Sequence, residues 1–171
     1  MKPPTPGPLV LIFMGVSGCG KTTVGTLFAK KTGAIFFEGD EFHPPENVEK
    51  MRRGISLTDQ DRTEWLRTLR QIITRSLNQG TFMVMTCSAL KAAYRDRLQE
   101  GDARIQFVHL TGPRALMEDR LKARKNHFMP PTLLDSQLAT LELPANALTF
   151  SCEKSPEEIV TALIQALGLG D

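Results

Sequence analysis

Five short apolar runs, at 9–14, 34–37, 82–87, 105–110 and 147–152, are separated by stretches whose apolar residues recur at helical spacing. Continuous apolar runs of this length suit strands buried on both faces, and their alternation with helices imposes βαβ crossovers. The chain is therefore expected to be α/β, a five-stranded parallel sheet flanked by helices on both faces. With no internal repeat or long linker, its 171 residues read as one domain over 1–171, with 1–8, one lysine and four prolines among them, as a disordered leader.

Local signals mark where the helices begin and end. Val24, Leu27 and Phe28, with Ile35 beyond them, mark the inner face of a first helix that stops at Gly33. A capping box, Thr58-Asp59-Gln60-Asp61, opens the longest helix, which carries Trp65, Leu66, Leu69, Ile72, Ile73 and Leu77 as far as Gly80. Trp65 belongs to that stripe and reads as a core anchor rather than a ligand platform. Ser88 is placed to cap a helix bearing Leu90, Tyr94 and Leu98, and Pro113 to open one bearing Leu116, Met117, Arg120, Leu121 and Arg124. Ser155-Pro156-Glu157-Glu158 starts the last helix, with serine as N-cap and proline at the first helical position. Two segments interrupt the alternation: a polar insertion at 41–57 with a short helix over 46–53, and a lid-like stretch at 126–131 before a helix over 132–141.

The first apolar run leads into Gly15-Val16-Ser17-Gly18-Cys19-Gly20-Lys21-Thr22, with Thr23 following in the helix. The spacing is glycine, four residues, then Gly-Lys-Thr, set between a strand and a helix, which is the full P-loop pattern in its proper context. Glycines allow backbone N–H groups to close around phosphate oxygens, and the helix N-terminus adds partial positive charge. Lys21 then reaches the β- and γ-phosphates of ATP, and Thr22 offers a hydroxyl to Mg²⁺.

Glu38 and Asp40 stand two apart where the second strand ends, the end at which ligands gather in open α/β sheets. One of the pair can accept a substrate hydroxyl proton and the other can hold Mg²⁺, directly or through water; solvated turn carboxylates are the competing reading. The third strand ends in Cys87-Ser88 without an acid, which throws the metal role back onto this pair. Arg120 and Arg124 share a helix face beside the lid-like stretch, with Lys125 and His127 after them, and suit the charge that develops on a transferring phosphoryl group. Lys91 and Arg95 share another face. With Arg53, Arg62 and Lys50 they are candidates for holding an anionic substrate, against the ordinary alternative of surface cations. His43, between the carboxylates and two prolines, has no second histidine or cysteine at metal-ligand spacing and reads as a substrate contact.

A formal net charge of +2 provides no electrostatic footprint for nucleic acid or a membrane surface. Cys19, Cys87 and Cys152 lack metal-ligand spacing, and a disulfide at Cys19 would obstruct the phosphate loop, so a reducing, cytoplasmic setting is expected.

Taken together, these residues resemble gluconokinase of the P-loop type, in the wider group that includes shikimate kinase and adenylate kinase. The likeness runs from about 11 to 144. It is carried by Glu38-Gly39-Asp40 with His43-Pro44, by Asn47 with Lys50-Met51, and by Gly54, Leu57, Asp59, Asp61-Arg62 and Trp65-Leu66. Further on it continues in Cys87-Ser88-Ala89-Leu90-Lys91 with Tyr94-Arg95-Asp96, Arg120-Leu121 with Arg124, His127-Phe128, Leu133-Leu134, Ser136-Gln137, Leu141-Glu142 and Pro144. Ser56 and Glu64 stand where the family usually has proline, and Leu138 where it usually has phenylalanine.

The resemblance implies ATP-dependent phosphorylation of D-gluconate at its 6-hydroxyl, usually by a homodimer. It also implies Glu38 and Asp40 dividing the metal and hydroxyl roles, Arg120 against adenine, Arg124 on the phosphates and His127 near the substrate. The alternatives are a kinase for another polyol acid or a nucleoside monophosphate and, from a different class, a nucleotide-dependent switch or a nucleic-acid-binding ATPase.

Overall fold

The computed structural model describes residues 10–124 and 133–169. The expected leader at 1–8 and the whole lid-like stretch at 126–131, with the candidate His127 in it, lie outside the described residues.

The strands are β1 (Val10–Met14), β2 (Ile35–Glu38), β3 (Met83–Thr86), β4 (Ile105–Thr111) and β5 (Leu148–Ser151). All pair in parallel, in the order β2-β3-β1-β4-β5. Strand β1 lies at the centre with every residue buried, which is why its sequence is apolar without alternation. The helices are α1 (Lys21–Thr32), α2 (Pro45–Arg52), α3 (Asp59–Gln79), α4 (Ala92–Gln99), α5 (Arg114–Ala123), α6 (Leu133–Thr140) and α7 (Pro156–Ala166), with a 3₁₀ turn at Gly39–Phe42.

The period-two geometry of β1 sorts the core into two clusters. Leu11 and Phe13 face Phe28 of α1, Met117 of α5 and Val160 and Leu163 of α7. Val10, Ile12 and Met14 face Trp65, Leu69 and Ile73 of α3 and Tyr94 and Leu98 of α4. The sheet is thus covered on both faces, as the sequence implies. The capping box at Thr58 and the N-cap at Ser155 are both formed, and Gly33 and Gly80 take left-handed conformations at the ends of α1 and α3. Among the described residues no helix is long and apolar enough to cross a membrane.

Two local expectations are corrected. Ile35 belongs to edge strand β2 and is half exposed, so it is no part of the inner face of α1. Ser88 does not cap α4: that helix begins at Ala92, whose N–H donates to the Glu142 carboxylate at 2.8 Å. An acid 50 residues away supplies the cap because the stretch after β3 folds back with Ala89 at φ 46°, leaving Ser88 short of the helix.

Candidate active site

All five strands point their carboxyl ends the same way, so the segments that follow them converge on one rim. After β1, the phosphate loop leads into α1 through Gly20 at φ 97°. The helix start has no side-chain cap and no acid in its first turn, so among the described residues no capping side chain competes for its first N–H groups. Lys21 bends back over this loop, its Nζ donating to the carbonyls of Gly15 at 2.8 Å and Val16 at 3.2 Å. Cys19 is buried, and its Sγ also accepts from Lys21 Nζ, at 3.9 Å.

After β2, the chain turns sharply. Gly39 lies so close to β3 that a Cβ there would sit 1.9 Å from the Thr86 carbonyl oxygen, and its own carbonyl accepts from Trp65 Nε1 at 2.8 Å. Held from both sides, this turn delivers Glu38 and Asp40 to one cleft with Ser17, Lys21, Thr22, Thr23 and Arg124. Glu38 is gripped by two hydroxyls: Thr22 Oγ1 donates to one carboxylate oxygen and Thr86 Oγ1 to the other, each at 2.5 Å. Thr86 ends β3, the position where the sequence shows no acid, and its hydroxyl orients the acid on the neighbouring strand. The hydroxyl-ending strand is the signal that sequence reading missed.

On the other side of the phosphate loop a second cleft is bounded by Gly20, Thr23, Arg120, Arg124, Lys154 and Pro156. Arg120 is fixed there, donating to the Gly18 carbonyl at 3.2 Å and the Cys152 carbonyl at 2.8 Å. It thereby ties the loop to the end of β5. Pro156, legible in sequence only as a helix start, is part of this wall.

A third cleft lies over α3 and is lined by Ser17, Lys21, Asp40, His43, Arg62 and Trp65, with Leu57, Ser88, Ser136 and Gln137 among the others. It shares Ser17, Lys21 and Asp40 with the phosphate-loop cleft. His43 stacks on Trp65 with ring centroids 4.0 Å apart, and its side chain is only 4% exposed. Burial, aided by the Arg62 guanidinium, pushes its pKa down to about 4, so the imidazole is neutral at pH 7. Asn47 Nδ2 lies 3.4 Å from Nδ1; donation from that amide leaves the proton on Nε2, which faces Asp40 Oδ1 at 3.8 Å. His43 lines the cleft with its ring stacked on Trp65 and Nδ1 engaged by Asn47.

The neutral His43 carries a stability prediction. Its folded pKa lies below that of the unfolded chain, so between pH 6.5 and 4 the unfolded chain binds a proton that the folded chain refuses. The associated stability is present in full above pH 6.5 and is lost as pH falls toward 4, in total about 3 kcal/mol. Urea melts should show the gap between the native chain and His43→Gln narrowing by about 2 kcal/mol from pH 7 to pH 4.5. A gap unchanged with pH would refute the assignment.

Of the basic candidates, the structure brings Arg62 into the third cleft and leaves four outside it. Lys50 pairs with Asp61 at 2.8 Å, holding that carboxyl at about 2, and Lys91 pairs with Asp59 at 3.0 Å. Arg53 is exposed at the end of α2. Arg95 is buried, its guanidinium donating to the carbonyls of Ala89, Leu90 and Glu142. Lys50, Lys91 and Arg95 thus each have an internal partner, and Arg53 faces solvent. Arg62 spends Nη1 on the Leu57 carbonyl and the Tyr94 hydroxyl, which leaves Nε and Nη2 as donors among the described residues.

The chemistry available is phosphoryl transfer between two adjoining clefts. One has N–H groups, a lysine and an arginine for phosphates; the other has a carboxylate and a guanidinium for a small hydroxylated anion.

Comparison with known proteins agrees. A family model described as an AAA domain matches residues 10–144. A gluconokinase of Gluconobacter oxydans is 47% identical over 161 residues, covering 92% of this chain and 90% of its own. A sugar kinase from Janibacter sp., solved without ligand, superimposes with TM-score 0.87 at 43% identity over 94% of this chain and 95% of its own. A gluconokinase structure from Sinorhizobium meliloti gives TM-score 0.81 at 40% identity, over 95% and 92%.

Proposed function

Because the chain belongs to the gluconokinase family, which makes it a kinase transferring phosphate from ATP to gluconate, we propose that transfer occurs across the wall shared by its two clefts, onto the 6-hydroxyl of D-gluconate. The products are 6-phosphogluconate and ADP. The observation that carries this reading is the shared set Ser17, Lys21 and Asp40: a group bound at the phosphate loop and a hydroxyl in the third cleft meet there.

Phosphoryl transfer asks mainly for alignment and for charge where charge develops. The first-turn amides of α1, with Lys21, Thr23 and Arg124, receive the triphosphate, and Arg120 stands against the base. Asp40 accepts the proton of the 6-hydroxyl. Arg62 holds the carboxylate at the far end of the sugar acid with its two remaining donors. Thr22 and Glu38 fit a magnesium ion: both are hard oxygen donors, 2.5 Å apart beside the loop. Among the described residues no cluster of three acidic, histidine or cysteine side chains competes for a metal, in keeping with an ion completed by water and phosphate oxygens. Magnesium, when bound, supplies shielding of the β- and γ-phosphate charges.

We extend the reading to a single-domain protein acting as a homodimer, with His127 near the substrate, on the strength of the family resemblance. The three free, buried thiols support a reducing, cytoplasmic setting.

A coupled assay of ADP release with gluconate, shikimate, glycerate and AMP as acceptors tests the substrate. Gluconate should dominate, and a preference for AMP or shikimate would overturn the reading. Arg62→Met tests the anchor. A lost charge-assisted pair is worth about 1.5–3 kcal/mol, so the gluconate KM should rise roughly 10- to 100-fold with the ATP KM unmoved. A rise confined to ATP would remove Arg62 from the acceptor site.

A further inference from the structure

Gln137 is one of few buried polar side chains, and it comes from α6, far along the chain from the phosphate loop. Both ends of its amide are engaged by one residue: the Ser17 N–H donates to Gln137 Oε1 at 2.7 Å, and Gln137 Nε2 donates to Ser17 Oγ at 3.1 Å. Ser17 is the residue that lines both clefts beside Lys21 and Asp40, and it precedes Gly18, which sits at φ 88°. A loop residue next to such a glycine has wide backbone freedom unless something restrains it. Gln137 restrains backbone and hydroxyl together.

The same helix is fastened to the acceptor side through Ser136 and Leu133, and to α5 through Asp135. Ser136 Oγ lies 2.7 Å from Ser56 Oγ in the insertion, Leu133 packs with Met51 and Leu57, and Asp135 pairs with Arg114 of α5. α6 therefore spans from the walls of the acceptor cleft to the phosphate loop, with Gln137 as its contact to that loop.

We propose that Gln137 is a positioning residue for phosphoryl transfer: acting through Ser17, it sets the phosphate loop in register with the acceptor cleft that α6 helps to build. This rests on the reading of the two clefts given above. Because the amide is engaged with Ser17, its loss should misplace the reacting groups rather than weaken binding.

The test is steady-state kinetics on the full chain with ATP and gluconate. For Gln137→Leu, kcat should fall at least about tenfold while both KM values stay within about threefold. Gln137→Asn, too short to span both contacts yet still polar, should show the same split and guards against a folding failure of the leucine variant. Ser17→Ala combined with Gln137→Leu should cost at least about threefold less than the product of the single costs, because the two share one pathway. An unchanged kcat, a rise in KM alone, or fully multiplicative costs would each overturn the proposal. A native chain inert toward gluconate would instead refute the functional reading.

Discussion

Asp40→Asn should lower gluconate-dependent turnover by about 10²- to 10⁴-fold, the span of a well-placed general base, with ATP affinity nearly unchanged. Asp40 sits on the 3₁₀ turn at Gly39–Phe42, fixed by the contact of Gly39 with Thr86 and by the Trp65 bond to the Gly39 carbonyl. None of those restraints uses the Asp40 side chain, so the amide should leave the turn intact. What changes is chemical: an amide cannot take the hydroxyl proton, and it presents N–H where the hydroxyl needs an acceptor. A loss of less than about tenfold would remove Asp40 from the proton step.

Lys21→Met should cost on the order of 10³-fold in turnover and should also weaken ATP, because the ammonium serves charge that grows during transfer. In the structure its Nζ rests on two loop carbonyls, and no described carboxylate lies in salt-bridge range of it. The charge is thus available to phosphate, and the fold loses little with it. The two variants should also separate in a second assay. Slow ATP hydrolysis without gluconate should fall in Lys21→Met and persist in Asp40→Asn, since only the lysine acts on the phosphates. Equal loss in both would mean that Asp40 acts on ATP rather than on the acceptor.

Features legible in the sequence were those whose physics is local. Leu11, Phe13 and their neighbours form an unbroken apolar run because a central parallel strand is buried on both faces. Thr58 and Asp61, or Ser155 and Glu158, lie within one turn of each other, so a cap can be read from four letters. The phosphate loop is a contiguous octapeptide for the same reason.

Less was visible where a side chain chooses among partners. Lys50, Lys91, Arg62 and Arg95 look alike as basic residues near a substrate insertion. Only folding assigns Asp61 to the first, Asp59 to the second and three backbone carbonyls to the last. Trp65 reads as core and is core, at 1% exposure, yet its indole N–H also fixes the turn that presents Asp40.

The order of letters by itself determined the parallel sheet, the locally capped helix ends at Gly33, Thr58, Gly80 and Ser155, the phosphate loop and the pair of carboxylates beside it, since each depends on periodicity or on neighbours a few residues apart. The tertiary structure alone decided which cation lines the third cleft, that Thr86 grips Glu38 from the next strand, and that Gln137 restrains Ser17 across 120 residues. Those outcomes depend on distance in space after the chain has closed on itself, and sequence separation carries no record of it.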